Sequence, residues 1–191
     1  PTAVTFVFTT SSDGVAWIEV QAPDGTSTEH YQLKDGLRNA FTSFYSVRAT
    51  NLKPDTEYKY RLKAKQMSGN RWYPIGYGDS IASPWYSFKT LDPNAEGGTF
   101  IALSDMHGDN DKLRKLLALC DYPQAQTIFY VGDMMTHYDG KLIPFERFID
   151  TSVELFASHT PFVMVRGNHE TRGEYARSYF DFIPKSDGKI Y

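Results

Sequence analysis

The chain of 191 residues has a single cysteine, Cys120, so no internal disulfide forms. No apolar run approaches the roughly 20 residues that a bilayer-spanning helix needs. Neither sign of charge dominates, and the net charge of −3 gives no reason to expect a nucleic-acid or membrane partner. The chain opens on Pro1-Thr2-Ala3-Val4, already strand-like, with no signal peptide in front. That opening fits a trimmed or a mature start and assigns no compartment. The first 90 residues also lack any segment of helical period. What remains is ordinary for a globular protein: 41% hydrophobic and 23% charged residues, in a length that allows one large domain or two small ones.

Residues 1–91 read as an all-β domain. Thr2 to Thr9 and Gly14 to Val20 alternate β-branched and aromatic residues with polar ones, with a turn cluster at Ser11-Ser12-Asp13-Gly14 and another at Pro23-Asp24-Gly25. Phe44 to Thr50 and Glu57 to Lys65 follow as strands. The second puts Tyr58, Tyr60 and Leu62 on one face and Lys59, Arg61 and Lys63 on the other. Short strands and frequent turns argue for a β-sandwich. Trp72, Tyr73, Tyr77, Trp85 and Tyr86 crowd one Gly- and Pro-containing stretch. They read as packing rings, or alternatively as a binding loop, for example for sugar. Ser87 to Thr90 closes the domain, and residues 92–98 have the composition of a linker.

From Thr99 the period changes. Three short apolar runs, 99–103, 127–131 and 161–165, read as buried strands. Between them lie two helical patterns. One starts at Asp109-Asn110-Asp111 and carries Leu113, Leu116, Leu117 and Cys120, with Cys120 expected as a small buried core residue. The other carries Leu142, Phe145, Phe148, Ile149, Val153 and Phe156. The β-α-β-α-β order implies parallel strands with right-handed crossovers, in a sheet covered on both faces. Ligands bind beyond the carboxyl ends of such strands.

All three strand ends finish in metal-ligand chemistry. The first gives Asp105 and His107, expected to share one side if the strand stays extended. The second gives Asp133, whose two carboxylate oxygens can bridge two cations. The third gives Asn168, His169 and Glu170. Carboxylate plus imidazole suits Zn, Mn, Fe, Ni or Co more than Ca, and Asn168 offers a neutral carbonyl oxygen. His169 reads as ligand or proton donor, and Glu170 as the group that holds its ring. Taken singly, the aspartates could cap helices, Asn168 could sit in a turn, and either histidine could be a surface imidazole. Their recurrence in order at three strand ends favours the metal reading. Two cations about 3.5–4 Å apart clamp a phosphate and lower the pKa of bound water from about 15.7 to about 7.

Two resemblances sharpen these expectations. Asn51-Leu52-Lys53-Pro54-Asp55-Thr56-Glu57-Tyr58-Lys59-Tyr60 resembles the tyrosine corner of immunoglobulin-like and fibronectin type III sandwiches. Asp105-x-His107, Gly132-Asp133 and Gly167-Asn168-His169-Glu170 resemble the first three blocks of the calcineurin-like metallophosphoesterases. With a β-sandwich in front, the pair is similar to the purple acid phosphatase branch. The resemblance implies a dinuclear metal hydrolase of phosphomonoesters or phosphodiesters. Asp105 and His107 would bind the first divalent ion, Asp133 would bridge, and Asn168 would bind the second. His169 would protonate the leaving group or stabilise the transition state, with Glu170 as its partner. A secreted or periplasmic home is implied by resemblance only.

Two departures qualify this. The purple enzymes place a Tyr three residues after the bridging carboxylate, where this chain has Thr136; Tyr138 comes two residues later. His107 stands where they have Gly. The expectation is a colourless divalent pair, with His137 and Asp139 at the pocket rim or in an exposed loop. The family also completes its site with a later His and a Gly-His-x-His block, absent here; His30 and His159 are not substitutes. Residues 99–191 thus read as the first half of the domain, inactive alone, with the C-terminal half as its missing partner. The rival expectation is a non-catalytic binding module that uses the aromatic-rich sandwich and carries a vestigial metal half.

Overall fold

The structure, a computed structural model, describes residues 2–70 and 73–181. The chain divides into two compact units, Pro1–Pro93 and Asn94–Tyr191.

The first unit is built from β1 (Val4–Gln21), β2 (Ser27–Tyr31), β3 (Leu33–Lys34), β4 (Leu37–Arg38), β5 (Ala40–Ala49), β6 (Glu57–Asn70), β7 (Tyr73–Ala82) and β8 (Tyr86–Lys89). The expected turn at Ser11–Gly14 is corrected. It is a register break inside one long strand: β1 pairs β5 from Val4 to Thr9 and, shifted, at Gly14 and Val15, and pairs β6 from Gly14 onward. Extra residues on one strand bend it without ending it. The bend lets one strand serve two sets of neighbours around one core. Phe6, before the break, meets the rings of Tyr60 and Phe88 at centroid distances of 4.6 and 5.7 Å. Ile18, Tyr45, Val47 and Ala49 are fully buried in the same cluster.

At the entry to β6 the Tyr58 hydroxyl accepts the Lys53 N–H at 2.8 Å, and Leu52 is buried beside it. Thr90 locks the same corner: its hydroxyl donates to Lys53 O (2.7 Å) and accepts the Thr56 N–H (2.9 Å). The stretch read as an aromatic loop contains β7 and β8. Tyr86 packs on Tyr60 at 5.5 Å. Tyr77 and Trp85 are exposed and carry Lys65 and Arg61 over their rings. Trp72 and the Tyr73 side chain lie outside the described residues.

The second unit contains β9 (Phe100–Leu103), β10 (Thr127–Val131) and β11 (Phe162–Val165), parallel and in the order β11-β10-β9. Between the first two lies α1 (Asn110–Leu119). Asp109 caps it by accepting the Lys112 N–H at 2.9 Å. Leu113 and Leu117 are buried, whereas Cys120 is only half-buried at the helix end, which corrects its assignment to the core.

The second crossover, 145–157, winds as π-type turns around a short α-turn, Asp150–Ser152. The wider turn shifts the buried stripe to Phe148, Ile149, Thr151, Ser152 and Phe156, and leaves Val153 47% exposed. Ser152 donates to Phe148 O (2.7 Å), so the buried Tyr130 hydroxyl is the donor in its 2.6 Å bond to Ser152.

Among the described residues, one face of this sheet is the more deeply buried. Ile128, Tyr130 and Met164 are buried on one side, while Phe100, Val131, Val163 and Val165 are 66, 51, 45 and 49% exposed on the other.

Candidate metal centre

The backbone leaves the extended conformation at each strand end. Asp105, His107 and Asp133 take φ of 59°, 54° and 54°. The expectation that Asp105 and His107 share a side through continued strand geometry is therefore corrected: a tight turn in the left-handed region brings them together. That region costs a non-glycine residue about 1–2 kcal/mol, and such strain persists only where surrounding bonds enforce it.

Those bonds are present. His107 N–H donates to Asp133 O (3.0 Å) and Gly108 N–H to Met134 O (2.8 Å), which join the first two strand-end loops. Thr136 Oγ1 adds a bond to His107 O at 3.0 Å. From α1, Lys112 Nζ donates to Asp105 O at 2.6 Å. The second and third loops meet backbone to backbone. A Cβ on Gly132 (φ 89°) would lie 2.7 Å from the Gly167 Cα, and one on Gly167 would collide with the Asp133 carboxylate and N–H.

Glu170 is fully buried and holds that junction. Its carboxylate accepts the N–H groups of Asp133 (2.9 Å), Met135 (3.0 Å) and Gly167 (2.8 Å). The expected Glu170 contact with the His169 ring is corrected accordingly. The ring's Nδ1 lies 3.1 Å from Thr136 O and 3.3 Å from Arg172 Nη1; it donates to the carbonyl when protonated and accepts from the guanidinium when not.

The result is a convergent donor set. Ligand atoms of His107, Asp133 and His169 all lie within 4.8 Å of one another. The two imidazole rings meet edge to face at 4.3 Å. Asp105 adjoins the set, with Oδ1 3.9 Å from His107 Nε2, and is exposed. His169 N–H donates to Asp133 Oδ1 at 2.8 Å, which leaves Oδ2 toward the Asn168 amide. His137 and Asp139 are exposed beyond the cluster. Tyr138 is fully buried, with its hydroxyl on Lys141 O at 3.3 Å. Two imidazoles with carboxylates match the preferences of Zn, Mn, Fe, Co or Ni, so the residues present fit one such ion.

The sequence reading missed Lys112, the Thr136 carbonyl and Arg172. Lys112 had a usable signal: a residue three positions after a helix cap at a strand end points back toward that end. Arg172 lies three residues after His169, one tight turn away, since its N–H donates to His169 O (3.0 Å).

Parallel strands that bring His107, Asp133 and His169 together at their carboxyl ends define an α/β unit with a candidate metal site. Residues 98–190, nearly all of the second unit, match the family model of calcineurin-like phosphoesterases. Among solved structures, the chain is similar to the purple acid phosphatase PPD1 from yellow lupin (Lupinus luteus) seeds: 17% identity, TM-score 0.64, 88% of this chain and 33% of that one. It is also similar to PhoD: 15% identity, TM-score 0.50, 97% of this chain and 39% of that one. These likenesses concern the fold. The chain spans a third to two fifths of the length of these two structures. No curated protein sequence matches it.

Proposed function

We propose that the second unit is the front part of a metal-dependent phosphoester hydrolase with a dinuclear centre. The observation that carries this is the convergence of His107, Asp133 and His169 within 4.8 Å. In this reading Asp105 and His107 hold one divalent ion, Asp133 is shared, and Asn168 holds the second. The ions would neutralise the phosphoryl charge and supply hydroxide near neutral pH. Asp133 keeps one oxygen on the His169 N–H and presents the other to the site. Glu170 fixes the loops of both. His169 faces the phosphoester as proton donor to the leaving oxygen, its ring braced at Nδ1. Thr136 takes the place of a phenolate, so the pair is divalent and colourless.

The further ligands of the second ion, in this proposal, come from a C-terminal half of the domain outside these 191 residues. The more exposed face of β9–β11 supports that partner, because parallel sheets are covered on both sides and the similar structures are much longer. The 191 residues alone would then be inactive. The first unit, on its bent strand and its Tyr58 corner, is proposed to be a fibronectin type III-like sandwich, and the protein to be acid phosphatase-like and secreted or periplasmic.

Metal analysis and p-nitrophenyl phosphate hydrolysis on this chain and on its C-terminally extended form test the reading. Two equivalents of metal and turnover are expected in the extended form, and at most one equivalent without turnover here. Asp133→Asn should abolish turnover in the extended form with the fold retained; more than a few per cent residual activity would remove Asp133 from the bridging role. His169→Ala should cut turnover more than metal content, and proportional loss would make His169 a ligand.

Metal-free protein in both forms would move the assignment to the binding module. That module would use a cleft of about 580 Å³ beside the β1 bend, lined among others by Tyr45, Lys63, Lys65, Asp79 and Ile81. Its aromatic platform is weakened because Trp17, Tyr31, Tyr77 and Trp85 each already carry a cation over the ring.

A further inference from the structure

On the outward face of β6, Lys59, Arg61, Lys63 and Lys65 follow one another at every second position. A strand rises about 3.4 Å per residue, so neighbouring cations stand about 7 Å apart and the row runs about 20 Å. An ordinary surface lysine is mobile, and ordering it on a ligand costs entropy. Three of these four cations are already ordered. The Arg61 guanidinium lies 4.5 Å from the centre of the Trp85 ring, and Lys63 and Lys65 each hold Nζ 5.3 Å from the centres of Trp17 and Tyr77. Carboxylates tie down the middle of the row: Glu19 meets Arg61 at 2.8 Å and Lys63 at 3.4 Å, and Glu29 meets Lys63 at 3.0 Å. Among the described residues, Lys59 and Lys65 make no ion pair. Arg38 adds a cation beside the row, 3.8 Å from the centre of Tyr31, which itself stacks on Trp17. Past Lys59 the face continues to Glu57, whose charge is opposed by Lys89 across the strand pair. The face is therefore positive in a chain whose net charge is −3.

We propose that this row docks an acidic polysaccharide, a stiff linear chain with an anionic group on successive sugars. Three features select that partner. A single-stranded nucleic acid binds by stacking its bases on aromatic faces, and here each ring beside the row already carries a cation. A disordered acidic peptide loses its own conformational freedom on binding, whereas a stiff chain meets a fixed row with little left to order. Neutral polar side chains flank the unpaired cations, with Gln21 opposite Lys59 and Ser80 opposite Lys65, and they suit the hydroxyls of a sugar chain. The rings and carboxylates hold the cations at fixed spacing before the polymer arrives. The row lies wholly within the first unit, so docking there does not depend on the metal centre.

The test is titration of the full chain with polygalacturonate, read by tryptophan fluorescence, because Trp17 and Trp85 lie under Lys63 and Arg61. Poly-L-glutamate and oligo(dT) at equal charge concentration, and neutral dextran, are titrated in parallel. Wild type is expected to bind polygalacturonate most tightly and dextran not at all. Lys59→Gln with Lys65→Gln removes the two cations outside ion pairs. Affinity should fall about tenfold, and the slope of log K against log salt by about two, one for each lost contact to an anion. Tyr77→Leu keeps every charge but releases Lys65, so affinity should fall about threefold with the salt slope unchanged. Lys53→Gln removes an exposed cation outside the row and should change neither. Thermal unfolding identifies any variant that has lost its fold, and the Tyr77 variant then supplies the comparison. No binding of polygalacturonate by wild type, or wild-type affinity in the folded double variant, overturns the docking row. Equal binding of dextran overturns the role of charge. Tighter binding of oligo(dT) or poly-L-glutamate overturns the polysaccharide as the partner.

Discussion

The two units handle non-glycine left-handed backbone in opposite ways. In the first it falls at Asp35, Asn51 and Asp55, between strands where the chain reverses, and at Phe41, the second residue of β5. Among the described residues of the second, all three instances are Asp105, His107 and Asp133. The buried polar groups divide similarly. Thr90 and the Tyr58 hydroxyl in the first unit tie a corner to its own strand. Glu170 in the second ties two loops from different strands and leaves the neighbouring Asp133 and His169 side chains facing one another. One unit uses its polar contacts to finish a core. The other uses them to hold a strained constellation open to a ligand.

If that contrast is right, a single added methyl group should have very different effects in the two places. Gly167→Ala collides with Asp133 and forces the second and third loops apart. Overpacking of this kind costs about 1–3 kcal/mol, and zinc binding should fall by more than tenfold. Gly25→Ala has open space around it and carries only the strain of φ 86°, about 1 kcal/mol, with zinc binding unchanged. The unit that unfolds is identifiable, because Trp17, Trp72 and Trp85 all lie in the first. Tryptophan fluorescence therefore reports on that unit, and the helical circular dichroism signal on the other. Wild-type zinc affinity in Gly167→Ala would mean that the loops tolerate separation and that their close approach is not what builds the centre.

Glu170→Gln comes next. The amide offers one acceptor where the carboxylate offers two, and its NH2 faces N–H groups. Leaving buried donors without acceptors costs about 1–3 kcal/mol. Loss of a group that orients metal ligands typically weakens metal binding by about 10–100-fold. The helical signal should melt earlier and the fluorescence transition should stay put. A loss of stability without a loss of zinc affinity would reduce Glu170 to a core residue.

The sequence made one half of this contrast easier to read than the other. Period-2 alternation in Glu57 to Lys65 and the continuous apolar runs of β9, β10 and β11 place strands correctly, because burial on one or both faces writes directly into composition. The β1 bend was misread because Ser11-Ser12-Asp13 has turn composition, and only pairing with distant β5 and β6 shows that the strand continues. β7 was hidden by its Gly, Pro and aromatic content. In the site, the donor residues are legible from their types and their places after strands. Their holders are less so: Glu170 is legible as a holder but not its backbone N–H partners, and Thr136 O and Arg172 act across loops that only the fold brings together.

Smaller effects test the first unit. Tyr58→Phe removes the acceptor of the Lys53 N–H, worth about 0.5–1.5 kcal/mol, or about 2–12 °C in a domain of this size, where 1 kcal/mol shifts Tm by about 4–8 °C. The fluorescence transition should move, with zinc affinity and the helical transition unchanged. A shift in both transitions would mean that the units unfold together.

High pH gives the finest comparison, because each unit buries a tyrosine hydroxyl that cannot ionise cheaply. Burial pushes Tyr130 in the second unit from its ordinary 10.0 to about 12. Burial, with a lesser contribution from the Asp13 charge, pushes Tyr45 in the first unit to about 12 as well. The Tyr45 hydroxyl oxygen lies 2.8 Å from Gly14 O and 2.7 Å from Thr42 O, which share its one proton and would both repel a phenolate. For a group whose pKa is raised on folding, the protonated form stabilises the fold. That contribution is complete below pH 10 and is lost as pH rises through 12. Both transitions should therefore hold from pH 8 to 10 and fall between 10 and 12. Tyr130→Phe should flatten the fall of the helical transition alone, and Tyr45→Phe that of the fluorescence transition alone. Ser152 accepts only one bond from Tyr130, whereas two carbonyls face the Tyr45 oxygen, so the Tyr45 effect should be the steeper. Equal slopes would show that burial outweighs the local acceptors in both units.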